Sequence, residues 1–143
     1  MAVWQAKIYA VPSTPRPEGW EAWEGFSTLR AELDRLFQTA EITDFLGTQY
    51  WGDDQRHDAR LCLDAPEEML SIRIDLREPV APFLQALSRL LSKCGLSLQD
   101  GDTLIEPTEE NLVRIVGASN AARFVANPRA YMDDWARGAE AGN

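Results

Sequence analysis

The single histidine of the chain lies in its densest group of side chains that could do chemistry. Within residues 51–58, His57 is close in sequence to Asp53, Asp54 and Asp58. Carboxylates with an imidazole can bind a divalent metal, and a histidine beside an aspartate can act as a general base. His57, Asp53 and Asp54 are therefore candidate catalytic residues of a hydrolase-type enzyme. Because the spacing matches no closed metal-binding loop, we expect no metal and no cofactor, and we favour a solvated loop before a strand.

Other patterns typical of catalysis are absent from the sequence. No Gly-x-Ser-x-Gly elbow, P-loop or Gly-x-Gly-x-x-Gly motif occurs. The two cysteines, Cys62 and Cys94, fall at apolar or near-strand positions, so we expect reduced core residues. A reactive thiol needs an accessible, electropositive setting, which disfavours a Cys–His enzyme.

Three stretches combine large aromatic rings with carboxylates and could bind a partner protein. Tryptophan and tyrosine are over-represented among the residues that dominate binding energy. The alternative is that the rings pack under loops and fill the open end of a sheet, which is the more ordinary interpretation for any one tryptophan. The candidate partner-binding residues are Trp20, Trp23, Tyr50, Trp51, Asp53, Asp54, Tyr131, Asp133, Asp134 and Trp135.

Arginines on the polar side of two predicted strands are candidates for anion binding. Arg60, Arg73 and Arg77 occupy such positions, and a guanidinium group on an uncovered sheet face could bind an anionic ligand. Cross-strand ion pairs are the more ordinary interpretation.

The charge of the chain bears on its partners. The net charge of −9 is spread evenly along 143 residues, with no basic patch, so we expect no nucleic-acid partner. An acidic protein is suited to a partner protein with a basic surface. No apolar run has membrane-spanning length and no secretory signal is visible, so we expect a cytoplasmic protein without a membrane partner.

The clearest structural pattern is in residues 69–95. Apolar and polar residues alternate along residues 69–77, which predicts a half-buried strand. From Val80 to Cys94 the apolar residues follow a helical stripe. Pro79 and Pro82 suit the first turn of this helix, and Gly95 suits the position just after it.

The remaining elements complete the predicted fold. We expect strands at residues 2–11, 59–63 and from 96 onward, with a hairpin turn at Asp100-Gly101. A helix is predicted at residues 28–39 with Ser27 as its cap, and C-terminal helices should begin at Thr108, Ser119 and Asn127-Pro128. This order predicts an α+β fold, with an antiparallel sheet and two helices on one face in the ferredoxin-like βαββαβ order, plus a C-terminal helical extension. A different α+β sheet is the main alternative. We expect residues 1–137 to form a single domain and residues 138–143 to form a flexible tail.

The chain also resembles a known class of small bacterial proteins. The residues that carry the resemblance are Trp4, the strand end Tyr9-Ala-Val-Pro12 and the Trp51-Gly-Asp loop, together with the acidic balance. In these features it is similar to immunity proteins of polymorphic toxin systems. The resemblance implies a protein that binds and occludes a toxin and has no chemistry of its own.

Three functions therefore follow from the sequence. The first is a small acidic cytosolic interaction module, an immunity-type inhibitor that occludes a basic site on a partner protein. The second is a small-molecule-binding or regulatory domain with a groove between sheet and tail helices. The third is the hydrolase-type enzyme that would use His57.

Overall fold

A computed structural model describes residues 2–14, 20–38, 42–43, 47–63 and 69–141. Residue 39 of the predicted first helix and residues 142–143 of the predicted tail lie outside the described residues. The strands are β1 (Gln5–Pro12), β2 (Ile42–Thr43), β3 (Thr48–Gly52), β4 (Asp58–Cys62), β5 (Leu70–Asp75), β6 (Leu96–Asp100) and β7 (Thr103–Ile105). The helices are α1 (Phe26–Phe37), α2 (Ala81–Lys93), α3 (Glu109–Gly117), α4 (Asn120–Ala126) and α5 (Pro128–Ala141).

The strands form one antiparallel sheet in the order β2-β3-β4-β5-β1-β6-β7. The α+β class and the antiparallel sheet are thus confirmed. The ferredoxin-like order is not confirmed, because the sheet has seven strands and the described residues contain five helices. The predicted strands are neighbours in this sheet, as β4-β5-β1-β6, and the predicted hairpin turn at Asp100-Gly101 joins β6 to β7. The strands that the sequence did not predict, β2 and β3, extend the sheet beyond β4.

One face of the sheet is apolar and carries the core. In β5 the side chains of Leu70, Ile72 and Ile74 are fully buried, as the alternation predicts. They lie opposite the even-numbered residues of β1, with Ile72 paired to Ile8. Buried leucines of α1 and α2 join the same core, namely Leu29, Leu33, Leu84, Leu87, Leu90 and Leu91. Each such leucine stabilises the fold by about 1.5–3 kcal/mol relative to an exposed position.

Three of the four predicted helix starts are confirmed and one is wrong. Thr108 accepts a hydrogen bond from the backbone N–H of Asn111, Ser119 accepts one from Ala122, and Asn127 accepts one from Ala130. The first helix, however, begins at Phe26 with Gly25 at its cap, so Ser27 lies inside the helix. Gly25 is required there for a packing reason, because an added Cβ would stand 2.5 Å from the ring of Trp23.

The C-terminal helix α5 is longer than the sequence predicts. It continues to Ala141 and so extends into the predicted tail, whose flexibility stays a prediction. Its main contacts are with α4, whereas α3 and α4 both contact β1. Within the described part of the chain, no helix is long and apolar enough to cross a membrane.

Candidate functional site

Residues 53–57, here called the hairpin loop, join β3 to β4 and are held by long-range hydrogen bonds. Gln5 of β1 donates through Nε2 to the carbonyl groups of Asp54 and Arg56, at 3.1 and 2.5 Å. Trp4 Nε1 donates to the carbonyl of Gln55 at 3.2 Å. The backbone of this loop is therefore anchored on β1, although the side chains from Asp53 to Arg56 are exposed.

His57 is held in one tautomer and one ring orientation by its neighbours. Its Nδ1 accepts the backbone N–H of Asp75 at 2.9 Å, and its ring stacks on Phe83 with 4.0 Å between centroids. Burial lowers the pKa of His57, and the carboxylates of Asp75 and Glu78 oppose this shift. The neutral ring therefore carries its proton on Nε2.

This geometry does not support the predicted hydrolase-type site. A general base needs an unshared lone pair, and the lone pair of His57 is engaged by the Asp75 N–H. Asp53 accepts a hydrogen bond from the backbone of Gln55 in a local turn, at 2.9 Å. Among the described residues, no three His, Cys, Asp or Glu side chains come together in an arrangement that could hold a metal ion.

Arg73 is paired and buried, which overturns its prediction as an anion-binding residue. Its guanidinium group donates two hydrogen bonds to the carboxylate of Asp58, one of them from Nε to Oδ1 at 2.8 Å. Both side chains are buried. Hydrogen bonding to Asp58 raises the pKa of Arg73. This pair is the cross-strand ion pair that the sequence allowed as the alternative, because Asp58 and Arg73 are directly opposite in β4 and β5.

Arg77 also forms an ion pair within the protein, although its side chain is partly exposed. It donates from Nε and Nη2 to the two carboxylate oxygens of Asp75, at 3.0 and 2.9 Å, and this pairing lowers the pKa of Asp75. Its guanidinium group lies 4.2 Å from the ring centroid of Trp4 and donates to the carbonyl of Gln55. Arg77 therefore helps to hold the hairpin loop in place, and its guanidinium group is not available to bind a ligand.

Arg60 is the predicted anion-binding residue that retains donor capacity. Its Nε lies 3.8 Å from the nearer oxygen of Asp58, beyond hydrogen-bonding distance. This Nε–H is buried and has no hydrogen-bond acceptor, while the side chain as a whole is 41% exposed. The guanidinium group lies 5.2 Å from the ring centroid of Tyr50.

A cleft of about 820 Å³, here called the hairpin cleft, brings several of these residues together. Its lining comes from the end of α1, the β3–β4 hairpin, the hairpin loop and the first turn of α2. The sequence placed His57 and Arg60 in separate hypotheses, but both line this one cleft. The lining residues are Leu36, Phe37, Gln38, Tyr50, Trp51, Gly52, Asp53, Asp54, Arg56, His57, Asp58, Arg60 and Phe83.

The three tryptophans Trp20, Trp23 and Trp51 are buried, so they cannot present an exposed partner-binding surface. Trp20 and Trp23 pack edge to face, with 5.8 Å between ring centroids. The indole of Trp51 lies on the apolar face of the sheet, opposite Ala59, and its Nε1 donates to Asp34 of α1 at 2.7 Å. These rings follow the alternative interpretation, in which they pack in the core.

The third aromatic–acidic stretch, in α5, is exposed. Trp135 is 64% exposed and Met132, one helical turn earlier, is 48% exposed. Tyr131 is half-buried against Phe124, and Asp134 pairs with Arg137 and lies near Arg123. Asp133 is exposed. The sequence prediction omitted Met132, although its spacing from Trp135 places both on one side of the helix.

The cysteines differ from each other in burial. Cys94 is buried, and burial raises its pKa to about 11, in keeping with the predicted core role. Cys62 is half-buried in β4 rather than fully in the core, and neither cysteine forms a disulfide.

No protein-family model matches this sequence, and neither a curated protein nor a solved structure is similar to it. The resemblance to immunity proteins therefore stays a prediction.

Proposed function

We propose that the protein is an immunity-type interaction module that binds a basic surface of a partner protein through α5. The observation that carries this proposal is the exposure of Trp135 and Met132 on a helix whose main contacts are with α4. A fold gains little from a tryptophan that is left in water, and tryptophan is enriched among the residues that dominate binding energy.

The charges around these two side chains indicate the chemistry of the partner. Asp133 lies between Met132 and Trp135, is exposed, and forms no ion pair with a described residue. The chain as a whole carries a charge of −9. An apolar pocket ringed by lysine or arginine would accept the indole and the thioether and would pair with the carboxylate.

The binding test uses one variant in α5 and one matched control. The wild-type protein and the variants Trp135→Ala and Val113→Ala are purified and immobilised. Each is then mixed with the purified product of the adjacent gene. Val113 is a suitable control because it is an exposed apolar residue of α3, 51% accessible. We expect wild type and Val113→Ala to retain the partner, Trp135→Ala to lose it, and high salt to weaken retention because the charges are exposed.

The immunity-type part of the proposal requires inhibition as well as binding. An equimolar amount of the protein should suppress the toxic activity of the partner, and Trp135→Ala should not. Binding that survives Trp135→Ala would contradict the role of α5. A complex in which the partner keeps full activity would contradict the inhibitor role.

A further inference from the structure

The last strand of the sheet has an open edge. β7 pairs with β6 on one side, and within the described part of the chain no strand lies on its other side. Thr103 and Leu104 of β7 are exposed, Leu104 to 49%. An open edge presents unpaired backbone N–H and C=O groups, and these groups are a template for a further strand.

The turn between β6 and β7 determines which backbone groups point to this edge. Gly101 and Asp102 form a two-residue loop, and a positive φ of 60° at Gly101, with none at Asp102, matches a type II′ turn. The residues that flank such a loop, Asp100 and Thr103, form a hydrogen-bonded pair, and the next pair along the ladder is not hydrogen-bonded. Leu104 belongs to that next pair, opposite Gln99. Its N–H and C=O therefore point away from β6, to the open edge.

The open edge is short, and Leu104 is its centre. Ile105 is again in a hydrogen-bonded pair, with Leu98. The C=O of Glu106, the next residue, accepts a hydrogen bond from Nδ2 of Asn111 at 2.9 Å, which closes this end of the edge. A strand that adds here would pair with both backbone groups of Leu104 and would cover its side chain. In strand addition the backbone bonds provide affinity, and side-chain contacts provide specificity.

The charges around β7 are all negative. Asp100 and Asp102 precede the strand and Glu106 follows it, and residues 99–113 contain five carboxylates and no lysine or arginine. The other two carboxylates are in the first turn of α3, where they interact favourably with the positive end of the helix. Asp100, Asp102 and Glu106 have no such role, and none of them forms an ion pair with a described residue.

These charges decide which strand can pair with the edge. Two copies of this chain paired through β7 would bring like charges together, which is unfavourable. An extended segment in which lysine or arginine flanks an apolar residue would instead place its cations beside Asp102 and Glu106. Its apolar side chain would then lie against Leu104. Charge therefore disfavours self-pairing and favours a basic segment.

We propose that the open edge of β7 binds an extended basic segment of a partner protein by strand addition. The segment exchanges backbone hydrogen bonds with Leu104, and its cations pair with Asp102 and Glu106. This inference does not rest on the proposed role of α5, since none of these residues belongs to that helix.

The experiment titrates the ¹⁵N-labelled protein with the peptide acetyl-Lys-Thr-Val-Thr-Lys-amide. In the free protein the amide hydrogen of Leu104 should exchange with solvent faster than those of Thr103 and Ile105, because only the Leu104 N–H points to the open edge. The peptide should shift the Leu104 amide signal saturably and slow its exchange. A Leu104 amide that is already protected in the free protein would overturn the proposal, and so would the absence of a saturable shift at millimolar peptide.

Two substitutions of Leu104 separate the backbone from the side chain. Leu104→Pro removes the outward N–H and none of the bonds to β6, so the fold should be kept. The dissociation constant of the peptide should rise at least about tenfold in this variant. Leu104→Val is the matched control, because it keeps the N–H, and it should bind like the wild type. Unchanged affinity in Leu104→Pro would contradict strand addition.

Matched peptides and two further variants complete the test. A peptide with N-methylvaline, which lacks the central N–H, and a peptide with glutamate in place of both lysines should each bind at least about tenfold more weakly. Equal binding of either would overturn the proposal. If Leu104→Pro fails to fold, Asp102→Asn combined with Glu106→Gln should weaken binding, and unchanged affinity in that variant would also overturn it. Trp135→Ala should leave peptide affinity unchanged, whereas a loss there would place the peptide on α5 and overturn the assignment to β7.

Discussion

Trp51 and Trp135 have similar neighbours in the sequence and opposite positions in the structure. Trp51 is followed by Asp53 and Asp54, and Trp135 is preceded by Asp133 and Asp134. Yet Trp51 is 1% exposed and Trp135 is 64% exposed. Adjacent carboxylates therefore do not decide whether a tryptophan belongs to the core or to the surface.

The burial of each tryptophan depends on which elements pack against the strand or helix that contains it. Trp51 is in a strand between β2 and β4, opposite the small side chain of Ala59, and α1 supplies Asp34 as an acceptor for its Nε1. Trp135 is in a helix whose main contacts are with α4. The contrast between Trp51 and Trp135 predicts that substitutions in β3, β4 and β5 lower stability, whereas substitutions in α5 weaken partner binding.

The largest expected effect is that of Trp51→Ala. Removing a fully buried indole leaves a cavity in the core, so the free energy of unfolding should fall by about 3–5 kcal/mol. Urea unfolding followed by far-UV circular dichroism measures this change. Trp51→Phe keeps much of the packing and should cost clearly less, through the lost hydrogen bond to Asp34. A loss of less than about 1 kcal/mol in Trp51→Ala would contradict the conclusion that Trp51 packs in the core.

The second effect contrasts a buried and an exposed ion pair. Asp58→Asn neutralises the partner of the buried Arg73 and should lower the free energy of unfolding by about 3 kcal/mol. Asp134→Asn removes the partner of Arg137 on the surface of α5, where the change should stay within about 0.5 kcal/mol. Urea unfolding of the two variants tests the contrast, and equal losses would contradict the difference between the regions.

A third, smaller effect is a pH dependence that His57 should produce. Its pKa is lowered in the folded state, so the unfolded chain binds the proton more tightly. The stability contribution is then complete above the unfolded pKa near 6.5 and is lost as the pH falls through the lower folded value. Unfolding measured from pH 7.5 down to 5.5 should show this decline in the wild type.

His57→Phe is the control for that pH dependence. The variant keeps an aromatic ring against Phe83 and removes the only imidazole in the chain. Its stability should be nearly independent of pH over the same interval. A wild-type stability that rises as the pH falls would mean that the imidazolium form is favoured, and that the bond from Asp75 does not hold in solution.

Local patterns predicted the scaffold because the forces that set it are local or periodic. The alternation in residues 69–77 and the stripe in residues 80–94 became β5 and α2. Thr108 and Ser119 became caps because a hydroxyl at that position satisfies the N–H of the third residue after it. The first helix begins at Phe26, one residue before the predicted Ser27 cap, with Gly25 at the cap position and no side-chain hydrogen bond there.

The candidate site was predictable only in part because its contacts link distant residues. Gln5 holds the carbonyl groups of the hairpin loop from about fifty positions away, and such bonds leave no periodic signal. β3 follows Gly47 and ends at Gly52, and the sequence predicted no strand there, although this strand positions Trp51. Arg60 and Arg73 lie on one face of the sheet, because Arg60 pairs with Ser71 in the register that also pairs Asp58 with Arg73. Only the three-dimensional structure shows that Arg73 and Arg77 are paired with carboxylates, whereas the Nε–H of Arg60 has no acceptor.

The smallest expected effect on stability is that of Trp135→Ala, and its smallness is informative. An indole that is 64% exposed buries little area on folding, so its removal should change the free energy of unfolding by no more than about 0.5 kcal/mol. Urea unfolding of Trp135→Ala beside Val113→Ala measures this difference. A loss above about 1 kcal/mol would mean that the ring packs in solution, and the contrast with Trp51 would disappear. Unchanged stability together with lost partner retention would instead indicate a side chain that serves recognition, because the fold itself gains nothing from keeping an exposed indole.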